Sequence, residues 1–369
     1  MSQRDYLDLI SGVRRGPVAT AQRAVLRAFS WAYAAAAAAR TGLYRTGILR
    51  SHKAPVPVIC VGNLTTGGTG KTPAVAWVAN ALRHMGRTPA VVSRGYKAAE
   101  GGNDEMLVLE ELCPGLAHVQ DPDRVAGARK AAEVGADVVV LDDGFGHLRL
   151  QRDMDILLFD ALNPFGYGRM LPRGLLREPL RAMRRAQFAV FTRADIATPE
   201  RLRDLEDTVR CNGFTGPIAH AAHQSHKLIN LATGEEKEPA ELGGQTVAPF
   251  CGIGNPTGFQ RTLEKLGARI SPLGVLRLDD HARVAGREFE RQVVPFILAS
   301  KEKGASLAVC TQKDAVKLRK ELPQTPLPLY ELRVKFEILR GDGELRSSLA
   351  GIAPLRHAVA APSEFAKPR

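Results

Sequence analysis

From residue 55 onward, short apolar runs alternate with longer segments in which apolar positions recur every three or four residues. Compact apolar runs rich in β-branched residues read as buried strands, and the 3.6-residue period reads as amphipathic helix. Strands are therefore expected at 56–61, 88–93, 138–141, 156–159 and 189–191, with helices at 72–84 and 123–133 between them. Strands apolar on both faces and separated by helices imply a parallel sheet covered on both sides. After residue 212 a second series follows, with strands near 247–251, 307–310 and 329–334 and helices near 258–266, 287–300 and 315–321.

The start of the chain breaks this alternation. Residues 28–39 read AFSWAYAAAAAA, with Trp31, Tyr33 and Tyr44 spaced through the region and Arg23, Arg27, Arg40, Arg45 and Arg50 on its shoulders. Twelve helical residues span roughly 18 Å, short of a ~30 Å hydrocarbon core, so a helix lying in a membrane interface is expected rather than one that crosses it. An Ala-rich helix packed on its own domain is the competing reading. The expected layout is an interface-helix region at 1–53, a P-loop-type α/β domain at 54–212, a smaller α/β domain at 213–346 and an Ala- and Pro-rich tail at 347–369.

At 369 residues the chain exceeds one ordinary core, consistent with two domains. Lys and Arg number 51 against 39 acidic residues, a formal charge of +12 that points to anionic partners without choosing among nucleotide, lipid phosphate, membrane or nucleic acid. Cys60, Cys113, Cys211, Cys251 and Cys310 are scattered without a C-x-x-C pair and read as reduced core residues of a cytoplasmic protein. The first residues lack the apolar stretch and cleavage site of a secretory signal, which agrees.

The sharpest chemical signal is VGNLTTGGTGKTP at 61–73, a strand that ends in a glycine-rich turn and opens a helix. Such a turn aims backbone N–H groups at phosphate oxygens, and the helix N-terminus adds a favourable dipole. Thr65, Thr66, Gly67, Gly68, Thr69 and Gly70 would cradle the phosphates, Lys71 would reach the β and γ groups, and the Thr72 hydroxyl would hold Mg²⁺. The usual first glycine of the pattern is replaced by Thr65. A P-loop enzyme also needs a carboxylate at a neighbouring strand end. Asp142 and Asp143, closing the run VVVLDD, supply two: one for Mg²⁺, the other for Lys71 or strand-end amides.

With these residues in hand, the chain resembles the tetraacyldisaccharide 4'-kinase family of lipid A biosynthesis. Ordered matches are the P-loop block, SRGY at 93–96, DDGFGH at 142–147, DALNPFGYGRMLPRGLLREP at 160–179, FCGIGNP at 250–256, DDH at 279–281 and TQKDAVKL at 311–318. The resemblance implies two α/β/α domains with the active site in the cleft between them. It implies transfer of the γ-phosphate of ATP, with Mg²⁺, to the 4'-hydroxyl of a tetraacyldisaccharide 1-phosphate, giving lipid IVA. An enzyme peripheral to the cytoplasmic face of the inner membrane is implied as well. The family's acceptor-handling pair maps onto Asp104 and His281, with Arg124 at a phosphate contact and Glu178 on the nucleotide or metal side. Departures from the family pattern are Gly146 for Gln, Lys97 for Gly, Gln312 for Glu, and a shortened GGNDE loop before Asp104.

Two further signals are weaker. His220, His223 and His226 form an H-x-x-H-x-x-H string, but no cysteine or acid cluster completes a zinc site, and they read as linker or core histidines. Arg169, Arg173, Arg177, Arg181, Arg184 and Arg185 read as a solvated helix face or a lipid-phosphate contact. A GTP-dependent switch is the first rival function, since TRAD at 192–195 distantly resembles a guanine-reading pattern with two positions replaced. A nucleic-acid-dependent ATPase is the second, but no recognised nucleic-acid motif accompanies the charge. Neither a nucleic-acid nor a protein partner is expected.

Overall fold

The computed structural model describes residues 3–95, 104–278, 286–319, 322 and 324–352. Helices α1 (Gln3–Ser11) and α2 (Pro17–Arg45) come first. A βα series follows: β1 (Val58–Gly62), α3 (Lys71–His84), β2 (Pro89–Ser93), α4 (Asp104–Leu112), β3 (Ala117–Gln120), α5 (Arg124–Glu133), β4 (Val138–Asp142), β5 (Met154–Asp160), β6 (Phe188–Thr192) and α6 (Pro199–Cys211). The remainder comprises β7 (Ile218–Asn230), β8 (Glu236–Lys237), β9 (Thr246–Cys251), α7 (Pro256–Lys265), β10 (Arg269–Ile270), β11 (Leu276–Arg277), α8 (Arg287–Glu302), β12 (Leu307–Thr311), α9 (Gln312–Leu318), β13 (Leu329–Arg340) and α10 (Asp342–Ile352).

The strands form one sheet in the order β10-β9-β12-β13-β7-β6-β5-β1-β4-β2-β3, with β8 beside β7 and β11 beside β9. Every pairing is parallel except those of β7 with β13 and β8. The expected α/β fold is present. β1, β2, β4, β5 and β6 are buried at every position, as a sheet covered on both faces requires. β1 lies between β4 and β5, so successive crossovers leave it in opposite directions and open a crevice at its C-terminal end, where ligands of such sheets bind.

Apolar clusters cover both faces. Leu141, Phe159, Phe191 and Phe214 pack on one side of the first half, and Ile59, Val75, Leu82 and Ile156 on the other. Phe250, Phe289 and Ile297 on one face and Leu263, Val309 and Leu332 on the other do the same for the second half. The halves are stitched by β7, which pairs with β6 through Ile218–His220 positions and with β13 along its length. Ala219, Ala221, Phe336, Leu345 and Leu349 thereby join the core beneath α3.

Several local expectations need correction. α4 stands where a loop was expected, and α9 begins at Gln312 rather than 315 because the Thr311 hydroxyl caps it by accepting from Asp314 N–H. The supposed tail continues as α10 to Ile352; residues 353–369 lie outside the described ones. The three histidines sit on a strand, not in a linker. α2 has 29 residues, about 43 Å of helix, far more than the twelve-residue segment. No described helix is long and apolar enough to cross a membrane. α2 is bonded to the body through Ser30 Oγ to Met170 O (2.8 Å) and Arg40 Nη2 to Gly146 O (2.7 Å), while Val18, Val25, Phe29 and Trp31 face outward.

Candidate active site

The loop between β1 and α3 owes its shape to its glycines. Gly70, at φ 79°, occupies left-handed space that an L side chain resists, and it turns the chain so that Lys71 begins α3. Thr192 Oγ1 donates to Thr69 O at 3.1 Å and Arg193 Nη2 to Gly68 O at 3.3 Å, which pins the loop from the end of β6. From the second half, the FCGIGNP segment closes on the same loop: a Cβ on Gly254 would lie 2.4 Å from Gly68 N, so only glycine permits this approach. Asn255 caps α7 by accepting from Gly258 N–H and donates to Asp160 Oδ2 at 2.7 Å, where Arg193 also binds at 2.6 Å. Gly252 N–H in turn donates to the buried Asp314 carboxylate at 3.1 Å, tying the TQKD segment to this loop.

Facing the loop, Asp142 and Asp143 end β4. Lys71 Nζ donates to Asn63 Oδ1 at 3.3 Å and lies 3.9 Å from Asp143 Oδ1. Arg177 grips Asp143 bidentately at 2.8 and 2.6 Å and reaches Asn63 Oδ1 at 2.7 Å. Burial alone would raise the Asp143 pKa, yet Lys71, Arg177 and Arg124 hold it well below the usual carboxylate range. Its neighbour behaves oppositely. Asp142 is 4% exposed, its Oδ1 is buried without a hydrogen-bond partner among the described residues, and burial followed by the charge of Glu105 pushes its pKa up to about 7.

Arg124 opens α5 behind the capping Asp123; it is buried, its Nε has no hydrogen-bond partner among the described residues, and burial lowers its pKa. Glu178 Oε2 accepts from Arg185 at 2.7 Å while Oε1 is buried and unpaired among the described residues, 3.0 Å from where a Cβ on Gly146 would stand. Asn63, Lys71, Arg124, Asp142, Asp143, Arg177 and Glu178 line one cavity of about 1200 Å³, together with Tyr33, Ala36, Ala37 and Arg40 of α2.

The structure thus brings together Thr65 to Thr72, Arg124, Asp142, Asp143 and Glu178. Asp104 is the first residue of α4 and pairs with Lys317 of α9 at 3.0 Å; it does not line the cavity, whereas its neighbour Glu105 does. His281 lies outside the described residues. Sequence reasoning missed Asn63, Arg193 and Asn255. The first stands inside the P-loop block and the last inside FCGIGNP, so both were visible but carried no side-chain role. Arg193 was noticed only as part of TRAD; Asp195 of that segment is paired with Lys265 at 2.5 Å.

A divalent cation fits the cavity. Among the described residues no group of three or more His, Cys, Asp or Glu could enclose a metal by itself. Mg²⁺, however, is usually held by one or two carboxylates together with water and phosphate oxygens. The unpaired Asp142 Oδ1 near Lys71 suits that demand.

Comparison with known proteins agrees across nearly the whole chain. The family model described as tetraacyldisaccharide-1-P 4'-kinase matches residues 22–353. The tetraacyldisaccharide 4'-kinase of Anaeromyxobacter sp. strain K is 39% identical over 355 residues, covering 91% of this chain and 92% of the relative. The enzyme of the same name from Syntrophotalea carbinolica is 36% identical, covering 89% and 92%. The crystal structure of LpxK from Aquifex aeolicus in complex with ATP superposes with a TM-score of 0.67 at 29% identity, covering 90% of this chain and 99% of that one.

Proposed function

The chain belongs to the tetraacyldisaccharide-1-P 4'-kinase family, and on that basis we propose how its residues divide the reaction. The activity is ATP-dependent phosphorylation of the 4'-hydroxyl of a tetraacyldisaccharide 1-phosphate in lipid A biosynthesis. The observation that carries the residue assignment is the position of Lys71 Nζ, held by Asn63 and Asp143 in the same cavity as the unpaired oxygen of Asp142.

Residues 65–70 hold the phosphate chain through backbone N–H groups, and Lys71 follows the charge that spreads over the γ oxygens during a loose phosphoryl transfer. Thr72 and Asp142 would hold Mg²⁺, with Glu178 on the same side, and the ion would supply neutralisation of the nucleotide's phosphate charge. Asp143 is the organiser rather than a ligand, because Arg177 and Lys71 already occupy its oxygens. Arg124, desolvated and only partly satisfied, contacts phosphate. Asp104 orients the acceptor hydroxyl and takes its proton late, with His281 as its partner. Lys317 Nζ pairs with the Asp104 carboxylate at 3.0 Å.

Two core clusters lie mainly in 54–212 and two within 213–346, which supports that division, although Ala219, Ala221, Phe336 and Leu345 pack into the core of the first half. The outward apolar side chains of α2 and its basic residues support contact with a membrane surface, the cytoplasmic face of the inner membrane in this reading. Tyr33, Ala36, Ala37 and Arg40 of the same helix line the cavity, a route by which a lipid-borne sugar reaches Lys71.

The test is transfer of label from γ-labelled ATP to the tetraacyldisaccharide 1-phosphate in detergent with Mg²⁺, wild type beside Lys71→Ala. Labelled lipid with the wild type alone is expected. Equal labelling by both proteins would remove Lys71 from the mechanism.

A further inference from the structure

Gln312 is the first residue of α9, 6% exposed, and lines the cavity that holds Lys71 and Asp142. Its Nε2 donates to Glu111 Oε2, on the last turn of α4, at 2.7 Å. Glu111 also pairs with Arg319 and, at 3.5 Å, with Arg333. The same two guanidiniums bind Glu331 of β13, which is fully buried. Two carboxylates and two guanidiniums cancel in charge, so the remaining place beside Glu111 calls for a neutral donor. A carboxylate at 312 would set like charge at hydrogen-bonding distance in a buried setting. The chain accordingly carries Gln at this position, where the pattern it resembles has Glu.

α9 is itself fastened to the phosphate loop. Its Asp314 accepts from Gly252 N–H at 3.1 Å, and that segment runs on to Gly254, which packs against Gly68. Toward its other end Lys317 pairs with Asp104, the first residue of α4. α4 is therefore tied to α9 at both of its ends, and Glu105 on the same helix stands in the cavity wall. We propose that Gln312 is a positioning residue for phosphoryl transfer: its hydrogen bond to Glu111 sets α4 against α9 and so holds Asp104 and Glu105 in register with the phosphate loop. This rests on the reading of the cavity as the kinase site. The loop has its own supports in Thr192, Arg193 and Gly254, so loss of the bond displaces the α4 wall and leaves the nucleotide's seat in place.

The test is a charge swap in the full-length protein: wild type, Gln312→Glu, and Gln312→Glu combined with Glu111→Gln, with Lys71→Ala alongside. Turnover is measured with γ-labelled ATP, Mg²⁺ and tetraacyldisaccharide 1-phosphate in detergent, per folded molecule, and ADP affinity by calorimetry. Gln312→Glu is expected to lower kcat about tenfold, because a small displacement of positioned groups is costly to transfer, with ADP affinity within about twofold of wild type. The swapped pair re-forms the hydrogen bond in the opposite sense and keeps the charge balance, so it should return kcat to within about threefold. A kcat for Gln312→Glu within twofold of wild type would overturn the proposal even if the melting temperature fell, since the bond would then only stabilise the fold. A swap no better than the single variant, or a loss of ADP affinity as large as the loss of kcat, would overturn it too. Should Gln312→Glu fail to fold, Gln312→Leu decides, as it removes the donor without adding charge: a fall in kcat beyond twofold with ADP affinity kept supports the role, and unchanged kcat rejects it. If Lys71→Ala loses turnover while the Gln312 variants do not, only the glutamine assignment fails; if the wild type itself transfers no label, the kinase reading fails.

Discussion

The phosphate side and the acceptor side of the cavity are built by different means. On the side we assign to the phosphates, the polar groups come from strand ends and the turns after them, so Lys71, Asn63 and Asp143 meet through the register of β1 and β4. On the side we assign to the acceptor, cavity-lining groups such as Tyr33, Arg40 and Glu105 arrive on α2 and α4, helices held by long-range contacts: Arg40 to Gly146 O, Tyr33 to Arg177 O, Lys317 to Asp104. α4 is further tied to the second half by Glu111, which pairs with Arg319 and Arg333 and accepts from Gln312. A site anchored in a buried sheet is preorganised before ligand arrives. One anchored through ion pairs between helices depends on the rest of the fold for its geometry.

The largest expected effect tests the phosphate side. Lys71→Ala should lower turnover by about 10³-fold or more, because the charge that follows the transferring group is lost. The nucleotide-free melting temperature should move by only a few degrees, since Arg177 still holds Asp143 and Asn63. Steady-state kinetics beside thermal unfolding decide it. A collapse of stability in this variant would mean that the phosphate side is not preorganised independently of its lysine.

Asp104→Asn comes next, with an expected loss of about 10²-fold in kcat and little change in ATP affinity. Lys317→Gln should reproduce a weaker form of the same defect, about tenfold, because it acts through Asp104 rather than on the substrate. If Lys317→Gln is harmless while Asp104→Asn is not, α4 holds its first residue without help from α9. Normal turnover of Asp104→Asn would instead shift attention to Glu105, which lines the cavity.

The same contrast explains what could be read from the sequence. β1, β4, β5 and β6 announce themselves as unbroken apolar runs, and G-K-T after such a run locates the phosphate site without any tertiary information. β7 does not, because its middle carries His223, Gln224, Ser225, His226 and Lys227 with only partial burial, a pattern that resembles a linker. α4 was hidden by the glycine-rich GGN before it and because its docking partners lie some two hundred residues away, as for Gln312 and Glu111. Which of Asp142 and Asp143 stays open was equally invisible. It is set by Arg177, 34 residues downstream, which takes one carboxylate and leaves the other open.

That division has a pH signature of intermediate size. With its pKa raised by burial to about 7, Asp142 binds a proton in the folded, metal-free protein over a range where the unfolded chain has released it. The folded state therefore holds more protons than the unfolded one between about pH 4 and pH 7, and this group's contribution to stability is lost as pH rises through that window. Burial is the largest cause of the shift; Glu105 and Asp143 add to it, and Lys71 and Arg124 oppose it. Asp142→Asn should flatten the decline when unfolding is measured in chelator at several pH values. An unchanged slope would assign the decline to another group and remove the distinction between the two aspartates.

The smallest expected effect on chemistry belongs to the outer face of α2. Phe29 and Trp31 are 62% and 67% exposed, and their burial in a lipid surface would contribute about 1.5–3 kcal/mol each, whereas Tyr33 and Arg40 are bonded to the backbone beside the acidic site. Replacing both Phe29 and Trp31 by Glu should therefore cut binding to anionic vesicles at least about tenfold and leave turnover on detergent-dispersed acceptor within about twofold. If turnover in detergent falls as steeply as vesicle binding, the two faces of α2 do not act separately, and the acceptor side depends on the whole helix rather than on Tyr33 and Arg40. If vesicle binding is unaffected, the outward apolar residues do not dock on lipid, and the positive charge of the chain must find its anionic surface elsewhere.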